Sequence, residues 1–488
     1  MRNKTLLFSL TIALVLVFII FLSSARSGLT AAPRLQPNAP AGALGPILAQ
    51  DPTEQPGPGP IVGGDVDHDV SLPLRDIPPV TTSEPREEEA KDEIGFLLPE
   101  HPPVIDSVLQ DSFPLAALAI PSPAISFDGV NNRNGVYPPD TNGDVGPNHY
   151  VQIVNLSFQI WDKSGNSLYG PVNNNTIWSG FGGPCQSRND GDPVVLYDQL
   201  ADRWLISQFT AASPYGECIA ISTSGDPTGS YNRYFFQLST SEFYDYPHFG
   251  IWPNGYYMTA NRFGASFNGA SLVVFDRARM LNGQSSTFQE FKTSNSFGTL
   301  LASDLDGTSV PPSGSPNFIV SLGNTVLNLW KAQINWTTPS SSTFTGPTAL
   351  SIAAYTQLCP STRSCIAQPN TSVGLDGIGD RLMQRLAYRN FGSYDAMVVS
   401  HSVDADSSSA VRAAVRWYEI RNPNTSPSIY QQGTYSPDTT GRWMPSIVMD
   451  KDGNIAMVYT ASSGSVFPGI RYAGRLAGDP LGQMTQGE

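Results

Sequence analysis

The feature that most constrains this chain is a recurring unit: a polar start carrying Asp and often Pro, a strand, a turn rich in Asp, Asn or Gly, then a second strand heavy in aromatic and β-branched residues. Three copies are clear: Gly191–Asp198 leading to Asp202–Ser207, Tyr244–Trp252 leading to Gly255–Thr259, and Arg442–Asp450 leading to Gly453–Tyr459. Fainter copies open near Pro139-Asp140, Ser303-Asp304 and Asp380-Arg381. With Asp140, Asp192, Asp245, Asp304, Asp380 and Trp443 as markers, the steps are 52, 53, 59, 76 and 63 residues. Propeller blades recur every 40–50 residues or so, with loops adding to that. The spacing therefore predicts an all-β fold, a β-propeller with six recognisable blade repeats, against the alternative of a pair of β-sandwiches. Strands expected further out in the blades are Gln159–Trp161, Cys218–Ile221, Leu272–Phe275, Leu327–Trp330 and Val415–Ile420.

Composition agrees with many short strands joined by turns, because only 14% of residues are charged while Gly (44) and Pro (41) are abundant. A formal net charge of -14 argues against nucleic acid as a partner, since phosphate neutralisation needs clustered Lys and Arg. Acidity of this kind keeps a protein soluble; carboxylates gathered in one place would instead hold a divalent cation.

The chain opens with Met1-Arg2-Asn3-Lys4, an apolar stretch from Leu6 to Leu22, and Ser23-Ser24-Ala25. That pattern predicts a secretory signal over residues 1–25, with a signal anchor retained in the membrane as the alternative. Either way the bulk of the chain is expected outside the cytoplasmic membrane, secreted or at the cell surface. Residues 26–123 have many prolines, an acidic run from Glu84 to Glu93 and little periodicity, and are expected to form a disordered linker ahead of a propeller domain spanning 124–488. Four cysteines in an exported chain predict two disulfides. Of the three connectivities, Cys185 with Cys218 and Cys359 with Cys365 is preferred, the second closing a short loop and the first stapling neighbouring strands.

Residues at successive blade starts line a propeller's channel and converge at one mouth. Asp140, Asp144, Asp192, Asp245, His248, Asp304, Asp306 and Asp380 are the candidates here. Asp in these places also caps turns and accepts backbone N–H bonds, the plainer explanation. A ring of carboxylates would attract Ca²⁺. Asp140, Asn142 and Asp144 present oxygen ligands at alternating positions, like the opening of a calcium loop, although Val151 stands where such a loop needs a bidentate Glu. Glycoside cleavage needs two carboxyl groups, one of raised pKa. Asp140 and Asp192 are the candidates for base and modulator, and Glu242, just ahead of Tyr244-Asp245, for the acid. Asp245, His248, Arg381 and Trp443 are the candidate ligand-binding residues at the same mouth. No GxSxG elbow, HExxH, Walker loop or strand-borne GxGxxG is present.

The stretches Pro138–Tyr150, Gly191–Trp204 and Tyr430–Tyr435 resemble a widespread group of secreted bacterial β-propeller proteins of uncharacterised function, over essentially all of 124–488. Members of that group continue past the stretch matching Gly474–Gly482 into one more copy of the repeat. The resemblance thus implies a seven-bladed propeller whose last blade is incomplete in this chain. More remotely the unit is similar to the blades of sialidase-like propellers and of five-bladed glycoside hydrolases. The strict sialidase Asp box is absent, however, and Met449–Asn454 is only an echo of it. The function expected from residues and resemblance together is a secreted or cell-surface module that binds an extracellular glycan or protein. The alternative is a carbohydrate-active hydrolase or lyase using channel-mouth carboxylates.

Overall fold

Each of the six repeats folds into one sheet. In the computed structural model, which describes residues 59–81, 102–113, 118–406 and 411–488, the innermost strands are Asn142–Val145, Val194–Asp198, Phe243–Trp252, Leu301–Leu305, Leu382–Asn390 and Gly441–Met449. Every marker from the repeat falls on or within two residues of one of these strands, and three more strands follow each in antiparallel order. The expected further strands are the third of their sheets: Ser157–Asp162, Tyr215–Ser222, Phe267–Phe275, Val326–Gln333 and Ala413–Arg421. The fold is an all-β propeller-like arrangement of six sheets. Among the described residues, no helix is long and apolar enough to cross a membrane. The expected signal segment lies outside the described residues.

Neighbouring sheets are glued by the two faces of each strand, since alternate side chains point to opposite sides. In the third sheet, Val273 and Phe275 join a core shared with the second sheet, whereas Leu272 and Val274 join the core shared with the fourth and fifth. Further cores join the first sheet to the second and the fifth to the sixth. Among the described residues no such core joins the sixth sheet to the first. The fourth and fifth sheets also hydrogen-bond directly, Ser303–Leu305 lying parallel to Leu386–Tyr388.

The outer edges are managed in two ways, as exposed strand edges must be. Parts of the segment read as linker are folded onto the propeller: Ile61–Gly64 adds a fifth strand to the third sheet and Asp67–Val70 one to the second, both antiparallel. Leu109–Gln110 and Leu118–Ala119 add parallel strands to the fifth and sixth sheets. The tether reading is corrected there, because edge N–H and C=O groups offer those short segments partners that local sequence does not reveal. Polar anchors reinforce the pairing. Asp69 takes a two-pronged ion pair from the buried Arg233 (2.7 and 2.5 Å), and Asp106 meets the fully buried Arg416 at 2.8 Å. Leu74 and Ile77 sit in the core between the first two sheets.

Among the described residues, the first and fourth sheets receive no such strand. Their outer strands, Ser167–Asn173 and Thr343–Ser351, each carry Gly-Pro at their middle, Gly170-Pro171 and Gly346-Pro347, where the ladder register shifts. Proline removes a donor from the edge, and both glycines hold a positive φ where a Cβ would strike the next strand's carbonyl oxygen. Those two edges are blunted from within. Both preferred disulfides are present: Cys185–Cys218 ties the short helix Gly183–Ser187 to the second sheet, and Cys359–Cys365 closes its small loop.

Candidate functional site

Except where the fourth and fifth sheets pair, an innermost strand has an open edge, so its N–H groups need acceptors. The polar residues at the blade starts supply them across the gaps between blades. Asn142 Oδ1 accepts from Val195 N–H (2.8 Å) and Asp144 Oδ2 from Tyr197 N–H (2.7 Å), both bridging the first and second sheets. Asp304 Oδ1 accepts from Ile251 N–H at 2.8 Å, bridging the fourth to the third. Asp192 Oδ2 accepts from Tyr246 N–H at 3.2 Å, and Asp245 Oδ1 takes the same donor at 3.0 Å. Asp140 Oδ2 accepts from the Asn155 amide at 3.0 Å. Asp140 and Asp192 hold positive φ two residues ahead of their strands, and Tyr246 and Met444 hold it within theirs, where the register shifts.

The hub gathers a smaller polar set. Arg385 ion-pairs through Nε with Asp304 Oδ2 at 3.0 Å and through its other arm with Asp306 Oδ1. Burial pushes the Asp304 carboxyl up to about 7, with Arg385 pulling it back and Asp306 adding repulsion. Burial likewise raises Asp144, opposed by Arg385. Although burial works against its charge, Arg385 is held well above the ordinary guanidinium range by Asp306 and Asp304. Nearby, Asn142 donates to Gln384 Oε1 at 3.4 Å, and His248 faces the Gln384 side chain with its pKa lowered to about 4 by burial. Arg381, paired to Asp380, lies over the Tyr246 ring at 4.7 Å, and that ring meets His248 edge-on at 4.2 Å. A shift of register between Met383 and Ala387 lets Gln384 and Arg385 both reach the hub.

Of the expected site residues the fold thus brings together His248 and Arg381, with Asn142 and Asp144 beside them. It does not bring in Glu242, which is turned toward the outer strands of the third sheet. There its carboxylate takes Arg262 (3.0 Å), Lys292 (2.8 Å) and Asn268 (2.9 Å). Although burial opposes ionisation, those bonds and charges lower its pKa, the opposite of what an acid catalyst needs. Nor does it bring in Trp443, which is buried among Leu358, Cys359, Ile366 and Ala413 because an indole on a strand facing a neighbouring loop is packed rather than presented. Asp140, Asn142 and Asp144 bond to three different partners instead of converging, since 142–145 is a strand and not a loop. Among the described residues no group of three His, Cys, Asp or Glu could hold a metal ion.

At the far ends of the inner strands lies a groove of about 470 Å³, bounded by the sixth sheet on one side and the hub on the other. Val448, Ala456 and Leu476 form apolar wall, and Asp306, Arg389 and Arg475 supply charge. The sequence reading missed Arg385, Arg389 and Arg475. No spacing signal marked them, because the register shift between Met383 and Ala387 breaks the alternation that would have related residue 385 to 389, and Asp306 lies just past the end of Leu301–Leu305.

No protein-family model matches the chain, and no curated protein matches it. Several solved structures are similar to it. An endo-arabinase from Bacteroides thetaiotaomicron is 11% identical, covering 59% of this chain and 94% of that one, with a TM-score of 0.29. The Bacillus subtilis arabinanase is 10% identical over 58% and 93%, TM-score 0.26. An exo-β-1,3-galactanase from Phanerochaete chrysosporium is 11% identical over 74% and 80%, TM-score 0.30.

Proposed function

We propose that this chain is an extracellular or cell-surface propeller that binds a glycan in the groove between the sixth sheet and the hub. The observation that carries the reading is the contrast in how polar groups are used. The mouth carboxylates Asp140, Asp192 and Asp245 are engaged in holding blades and turns together, while the groove has apolar walls and charged groups with bonding capacity to spare. A site built this way holds a ligand without needing to transform it.

A second reading, glycoside hydrolysis, is favoured by one observation. Asp304, with its carboxyl raised to about 7 by burial, shares a guanidinium with the side chain of Asp306, so two carboxyl groups stand side by side and one of them is shifted into the range of an acid catalyst. The test is a glycan array and affinity electrophoresis on the full chain, alongside the groove-filling Ala456→Trp at an exposed position. Retention by the parent and its loss in Ala456→Trp, with unfolding unchanged, is the expected result. Retention that survives Ala456→Trp, or none on any glycan, overturns the groove reading. Release of reducing ends that stops in Asp304→Asn would establish hydrolysis instead.

A further inference from the structure

We propose that the groove selects glycans bearing carboxylates, that is, uronic-acid sugars, with Arg389 and Arg475 as the recognising pair. This rests on the groove being a glycan site and adds the class of sugar it takes.

What the lining residues have left to offer decides which sugar fits. Gln199 is tied at both ends, its amide donating to Leu305 C=O at 3.0 Å and its carbonyl accepting from Gly307 N–H at 2.7 Å. Asp450 accepts from the N–H groups of Asp452 and Asn454 (2.8 and 2.9 Å) and from the Asn454 amide (2.8 Å), and Asn454 Oδ1 accepts from Ala477 N–H at 2.9 Å. Two guanidinium groups are not exhausted. Among the described residues Arg389 gives a hydrogen bond only from Nε, to Met449 C=O at 3.0 Å; its charge acts on the nearby Asp450 without a direct ion pair. Its Nη1 lies against the Gly307 backbone, where a Cβ would approach it to 2.5 Å. Arg475 gives one arm to the carbonyls of Asp479 (2.7 Å) and Pro480 (3.5 Å), and its buried Nε has no partner among the described residues. On the acceptor side, one carboxylate oxygen of the groove, Asp306 Oδ2, is buried without a partner among the described residues.

Guanidinium groups only donate, in a planar fork that fits a carboxylate. A neutral sugar, whose hydroxyls both donate and accept, would satisfy Asp306 and offer the arginines single neutral acceptors, but nothing that matches the charge or the two-pronged geometry of their forks. A uronate satisfies both kinds of group, and Val448 and Leu476 offer apolar contact to the C–H face of a pyranose ring. The overall charge of -14 opposes approach of a polyanion, so the arginines must act at short range and the affinity should rise with salt screening of the rest of the surface before falling as the pair itself is screened.

The experiment compares binding of the full chain to an oligogalacturonate and to a neutral galacto-oligosaccharide of the same length, by calorimetry, with dextran sulfate as a polyanion control. The expected result is at least tenfold tighter binding of the uronate, a preference lost in Arg389→Gln and in part restored in Arg389→Lys. Lys451→Gln, on the adjacent exposed hairpin, should leave the preference in place. Equal binding of uronate and neutral sugar, or a preference that survives Arg389→Gln, overturns the inference while leaving the glycan reading standing. Dextran sulfate binding as tightly as the uronate shows plain charge attraction and overturns it too. No binding of either sugar removes the underlying reading as well.

Discussion

The third and sixth sheets are built from the same repeat and meet different surroundings. In the third, strand Phe267–Phe275 is buried on both faces, Leu272 and Val274 on one side and Val273 and Phe275 on the other. In the sixth, burial alternates along the strands: Ile447, Met449, Ile455 and Met457 are buried against the fifth sheet, while Val448 (41% exposed), Val458 (45%) and Ile470 (82%) face outward. Their residues are apolar on both faces nonetheless. The repeat therefore encodes a sheet able to sit between two neighbours, and whether the second neighbour is present is decided by position in the ring. Among the described residues nothing covers that face, and the room it leaves is where the groove lies.

The sharpest way to break the comparison is to place a charge on each. Val273→Asp should cost at least about 4 kcal/mol in urea unfolding, because it buries an unpaired carboxylate between two sheets. An intermediate effect comes from Glu217, fully buried between the second and third sheets with its pKa pushed up to about 8 by burial. Its folded-state pKa lies above the unfolded value, so the folded state holds the extra proton. Stability is then full below the ordinary Glu range and is lost as pH rises toward 8, with a slope of up to about 1.4 kcal/mol per pH unit. Glu217→Gln should flatten that slope; a melting profile unchanged between pH 5 and 8 in the parent would show the carboxyl ionised in the fold. The smallest effect belongs to the sixth sheet, where Val458→Asp should change stability by less than about 0.5 kcal/mol. If it cost as much as Val273→Asp, the outward face would be covered in solution.

Much of the fold could be read from residues alone because the repeat is local: each marker, turn and aromatic strand lies within one stretch of chain. The edge strands could not. Ile61–Gly64 and Asp67–Val70 are four residues each, too short for periodicity, and owe their form to partners far along the sequence. The site was legible only by type. Asp at blade starts pointed to the hub, yet an acceptor for a neighbour's N–H and a catalytic carboxylate look alike in sequence. Arg385 and Arg389 passed unnoticed because a cation on an apolar strand declares nothing until Asp304, Asp306 and Met449 are brought beside it. Glu242 failed for the converse reason, its neighbours in the chain suggesting the mouth while Arg262 and Lys292 draw it outward.

The covering strands of the second and third sheets precede those sheets in the chain. During synthesis residues 61–70 emerge first, so each sheet, as it forms, finds the segment that will shield it already available. The interval in which a finished but bare rim could recruit a strand from another molecule is shortened by nothing more than the order of the parts.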